Sequence, residues 1–87
     1  MSETPIQEFP SEFHIKVMGR HGGELRALTQ AIVERHAGAL PDSSIRSRTS
    51  ADGNFLALTY TVMASSREQL DNIYRELTAC KSVLMAL

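Results

Sequence analysis

Eighty-seven residues with nine Lys plus Arg against ten Asp plus Glu carry a formal charge of −1 and a pI near 6.3. A chain of this length holds one domain with a small core and excludes a second, and its near-neutral balance excludes the basic excess of a dedicated nucleic-acid binder. One cysteine excludes an intrachain disulfide, and with neither a membrane-length apolar run nor the pattern of a secretory leader, the expected setting is cytoplasmic, with no membrane partner.

The first 12 residues mix Pro5 and Pro10 with Ser, Thr, Glu and Gln without any apolar period, which predicts a flexible tail ahead of one domain over residues 13–87. Phe13, Ile15 and Val17 then alternate with His14, Lys16 and Met18, the period of a strand with one buried face. Three glycines among residues 19–23 break that alternation and predict a loop. Leu25, Leu28, Ile32 and His36 recur at spacings of three and four beside Ala27, Ala31 and Val33, predicting a helix over residues 24–37 that Gly38 stops.

Pro41, Asp42 and Ser43 begin the return, and residues 44–49 set Ile45 against Arg46 and Arg48, a polar pattern suited to an edge strand. Asp52-Gly53 is a hairpin signal, because both residues tolerate turn angles that others resist. Residues 55–64 read as a central strand, with Leu58, Tyr60 and Val62 on one face and Ala57, Thr59 and Thr61 on the other. Ser65 with Glu68, or Ser66 with Gln69, can cap a second helix whose buried stripe is Leu70, Ile73, Tyr74 and Leu77. Residues 83–87 are apolar and short, a last strand with Leu84 and Ala86 opposite Val83, Met85 and Leu87. The order β-α-β-β-α-β places the chain in the α+β class as a ferredoxin-like βαββαβ sandwich. Its four-stranded antiparallel sheet has order 4-1-3-2, with two helices on one face.

Several segments carry a family resemblance. They are Phe9-Pro10, the run from Phe13 to Gly19, Arg35-His36-Ala37, Gly53-Asn54-Phe55, Ala64-Ser65 and Tyr74-Arg75-Glu76-Leu77. In their order and spacing they resemble the bacterial YbeD-like family of domain-of-unknown-function proteins, over residues 9–87. The resemblance implies a fold similar to the ACT regulatory domains, which bind amino acids or other small effectors and commonly pair into dimers. It also implies a pathway link, since similar genes often sit beside those for lipoate attachment. This chain departs from the commoner members at Arg20-His21-Gly22-Gly23, where it is richer in glycine.

The stretch Gly19, Arg20, His21, Gly22, Gly23 and Glu24 leads into the start of the first helix, where free N–H groups and the dipole favour an anion. With the resemblance, it becomes the candidate site for a small anionic effector; the plain alternative is a turn. Lys16, Arg46, Arg48 and Phe55 on the open sheet face are the alternative, an RNA surface, although RNA recognition on such sheets stacks bases on central-strand aromatics and most positions here are small. Leu84 and Ala86 are the candidate interface of a homodimer, because an apolar edge invites pairing with a second copy. Arg20 with Asn54 imitates an acylphosphatase only in part, and Cys80 reads as a small buried side chain. His14, His21 and His36 lack metal-ligand spacing. With no catalytic constellation, cofactor motif or metal cluster, the expected function is a non-catalytic regulatory or adaptor module binding an anionic metabolite or a protein partner.

Overall fold

Strict alternation builds the centre of the sheet. In the computed structural model, whose described residues are 9–87, strand β1 (Ser11–Arg20) buries Ile15 and Val17 while Glu12, His14, Lys16 and Arg20 face solvent. Its partner β3 (Phe55–Ala64) buries Leu58, Tyr60, Val62 and Ala64 on the same side. The antiparallel register runs from Ser11 opposite Ala64 to Arg20 opposite Phe55. That ladder moves both ends of the first strand. Gly19 and Arg20, expected in the loop, are its last two residues, and Ser11 and Glu12 join it at the start. Residues 1–8 of the expected tail lie outside the described residues.

Strand β2 (Ile45–Thr49) follows a single 3-10 turn at Asp42–Ser44 and pairs antiparallel with β3, leaving Arg46, Ser47, Arg48 and Thr49 exposed. The hairpin between them forms at Asp52-Gly53. The Asp52 carboxylate accepts from the Ser50 hydroxyl at 2.6 Å and the Asn54 N–H at 3.0 Å, while Gly53 takes φ 80°. Strand β4 (Val83–Ala86) completes the sheet on the far side of β1. The order β2-β3-β1-β4 is the expected ferredoxin-like arrangement read from the other edge.

Helices α1 (Leu25–Ala37) and α2 (Arg67–Ala79) cover one face. They close a core in which Leu25, Ile32, Val33, Leu70, Ile73 and Leu77 meet the inward side chains of β1, β2 and β3. The stripe of α1 differs from expectation: Leu28 is 39% exposed, and Thr29 is wholly buried in its place. A threonine survives there because its hydroxyl is satisfied by the Leu25 carbonyl at 2.7 Å and the Tyr60 hydroxyl at 2.6 Å. Ser66 caps α2 by accepting from the Gln69 N–H at 3.1 Å.

In β4 the expected alternation fails. The ladder sets Met18 opposite Met85 but Gly19 opposite Val83, so a bulge leaves Leu84 without a cross-strand partner. Val83 and Ala86 therefore both pack on the helix side, while Leu84 is 56% exposed; the two proposed interface residues do not share a face. Among the described residues no helix is long and apolar enough to cross a membrane.

Candidate functional site

The end of β1, the start of α1 and the turn entering β4 meet around a cleft of about 200 Å³, lined by Arg20, Gly23, Glu24, Leu25, Lys81, Ser82 and Leu84. Gly19 makes the meeting possible. A Cβ there would collide with the Ser82 carbonyl and come within 2.8 Å of Leu25 Cδ1, so only glycine lets the α2–β4 connection cross at this height. Gly22 turns the chain with φ 93°, and the space beyond Gly22 and Gly23 is open to 4 Å. The loop is tied down by the His21 N–H, which donates to the Asn54 carbonyl at 2.9 Å.

The two helix starts are electrically different. α2 has Ser66 as its cap and Glu68 in its first turn. At α1, Glu24 occupies the cap position without a capping hydrogen bond, and the first turn holds no acid. The first-turn N–H groups of α1 thus lack a side-chain cap, and Glu24 and Leu25 at that helix start line the cleft. Arg20, Lys81 and Glu24 are the charged residues that line it, with the Arg20 guanidinium 5.9 Å from the Phe55 ring centroid. Of the six residues expected at this site, Arg20, Gly23 and Glu24 line the cleft; Gly19 and Gly22 shape it, and His21 anchors the loop. Leu25, Lys81, Ser82 and Leu84 also line the cleft and were not among the residues expected there. The signal for the last three was topological, since a β4 beside β1 brings its entry turn to the exit of β1.

The opposite face of the sheet gathers the other candidates. Lys16, Thr59 and Arg46 form one row across β1, β3 and β2, and Met18, Ala57 and Arg48 form the next. Because Ala57 and Thr59 are small, Lys16, Arg46 and Arg48 rim a hollow of about 330 Å³. Phe55 lies at the last rung, with the Arg20 guanidinium 5.9 Å from its ring centroid. His14 sits on this face, its Nδ1 3.1 Å from the Thr61 hydroxyl.

Elsewhere, His36 ends α1 with Nε2 3.3 Å from a Glu76 carboxylate oxygen, and Cys80 is half-buried after α2. Among the described residues no three His, Cys, Asp or Glu side chains converge as a metal site. Asn54 stays in the hairpin, where its carbonyl serves the His21 N–H.

Residues 4–87 match the family model described as Protein of unknown function (DUF493). A UPF0250 protein of Bordetella pertussis is 46% identical over 76 residues, 86% of this chain and 82% of its own. A UPF0250 protein of Nitrosomonas europaea is 36% identical over 87 residues, all of both chains. Among solved structures, the C-terminal domain of the MgtC protein from Mycobacterium tuberculosis is similar with a TM-score of 0.63 and 13% identity. That match covers 94% of this chain and 89% of that one, a likeness of fold alone.

Proposed function

The chain belongs to the DUF493 family, the UPF0250 (YbeD-like) group that its motifs resemble, and on that premise we propose that it is a non-catalytic regulatory or adaptor module of the cytoplasm. Its ligand is a small anion held in the cleft at the end of β1. One observation carries this reading: Arg20, Lys81 and the uncapped start of α1 border the same hollow. An anion at an exposed helix start gains about 0.3–1 kcal/mol from the dipole, and the two cations add to it. The volume of about 200 Å³ is below the range of drug-sized pockets and suits a compact carboxylate or phosphate. Glu24 at the rim opposes a polyanion.

Beside the cleft, β4 is a short edge that exposes Leu84, Met85 and Leu87, which supports pairing of that edge with a second copy. Titration of the isotope-labelled protein with amino acids, lipoate and inorganic phosphate tests the ligand reading. Amide shifts are expected at Gly22, Gly23, Leu25 and Arg26, weakened about tenfold or more by Arg20→Ala with Lys81→Ala. No movement of these amides at millimolar ligand would end the reading. Sedimentation equilibrium tests pairing separately, and a monomer at high micromolar concentration would remove it.

A further inference from the structure

We propose that the open face of the sheet is a second docking surface, and that its occupant is an extended acidic peptide segment of a partner protein, added as a strand along β2. Charge segregation is the first ground. Of nine basic side chains in the chain, Lys16, Arg20, Arg46 and Arg48 occupy outward positions of this face, where Glu12 is the one carboxylate among the described residues. Arg26 and Arg35 are paired with Asp42 and Glu76, whereas no ion pair among the described residues engages Lys16, Arg46 or Arg48. These three cations are held beside one another, and among the described residues none of them is in an ion pair.

Spacing identifies the chemistry of the occupant. Arg46 and Arg48 are two residues apart on one strand, so their side chains leave the same face about 6.6 Å apart. An extended peptide repeats its same-face side chains at that interval, so carboxylates at its alternate positions meet both arginines at cross-strand distance. The strand that carries them is an edge, β2, with one side of its backbone unpaired. Main-chain pairing along that side supplies affinity, and the arginines supply selectivity for acid.

Two other occupants fit less well. Single-stranded RNA needs aromatic platforms on the central strands, and the outward positions of β1 and β3 offer Phe55, at the last rung and covered by Arg20, and His14, six rungs away and bonded to the Thr61 hydroxyl. A second copy stacked face to face would set its own Lys16, Arg46 and Arg48 against the same cations.

The test uses the full chain and a blocked octapeptide in which Glu alternates with Thr. Shifts are expected at the amides of Ile45–Thr49, with affinity falling as salt rises. Arg46→Ala with Arg48→Ala should weaken binding at least tenfold. Both side chains are exposed, so an unchanged spectrum elsewhere certifies the fold, and Arg20 is left in place for the cleft. A peptide with Gln for Glu should lose the affinity through charge, and one with Pro for Thr should lose it through the missing N–H donors. Equal binding of the Gln or Pro peptide overturns the proposal. So does tighter binding of octauridylate at the same amides, or no peptide binding at all.

Discussion

Tyr60 shows how one buried hydroxyl constrains the packing of α1 on the sheet. The side chain is wholly buried. Thr29 gives its proton to the Leu25 carbonyl, and the Tyr60 hydroxyl lies 2.6 Å from the Thr29 hydroxyl and 3.4 Å from the Arg26 carbonyl, contacts that fix α1 against β3. Burial pushes the Tyr60 phenol above its ordinary value of 10.0. A raised folded-state value means that the folded chain holds the proton more tightly than the unfolded chain. The corresponding stability is intact below pH 10.0 and is lost as the pH climbs through the raised value. Tyr60→Phe should therefore do two things. Near neutral pH it removes the bond to Thr29 and the longer contact with the Arg26 carbonyl for about 1 kcal/mol, with Thr29 still satisfied by Leu25. In alkali it flattens the fall in stability, leaving the contribution of Tyr74, which burial also raises. Urea unfolding at neutral and alkaline pH measures both effects, and an unchanged alkaline slope would contradict the first assignment.

At the scale of elements, the consequential contact is the one β1 makes with the entry to β4. Gly19 faces the Ser82 carbonyl and Leu25 with no room for a side chain, whereas a Cβ on Gly23 meets nothing within 4 Å. Gly19→Ala should cost about 1–3 kcal/mol through overpacking and loosen β4 first. Gly23→Ala should be neutral or stabilising by up to about 1 kcal/mol, by restricting the unfolded chain. Urea midpoints compare the two, and hydrogen exchange at Val83 and Ala86 reports whether β4 detaches. This contact also separates what sequence can express from what it cannot. The alternation in β1 and β3, the Asp52-Gly53 turn and the Ser66 cap with Gln69 are local patterns, legible because a few neighbouring residues determine them. The inclusion of Gly19 in the strand, the bulge at Leu84 and the burial of Thr29 depend on residues between 31 and 67 positions away, beyond the reach of any period.

The whole molecule adds a property that composition conceals. A net charge of −1 is an average, yet Lys16, Arg20, Arg46 and Arg48 lie on one face with Glu12 as its outward carboxylate. Sequence could place each arginine on that face, because side chains two apart on a strand point the same way. It could not show that Ala57 and Thr59 leave a hollow between them and Lys16, nor that Lys81 would cross the fold to join Arg20 at the cleft. A field concentrated on one side of a small domain governs its approach to charged surfaces more than the total does. The protein should therefore be retained at low salt on a sulphonate matrix near neutral pH, despite a pI near 6.3. Arg46→Gln with Arg48→Gln should abolish retention. Arg35→Gln with Arg75→Gln changes the total equally, but those arginines belong to helix-side contacts with Glu76 and Asn72, so retention should persist. Coincident elution of the two double variants would mean that total charge alone sets retention and that segregation has no consequence in solution.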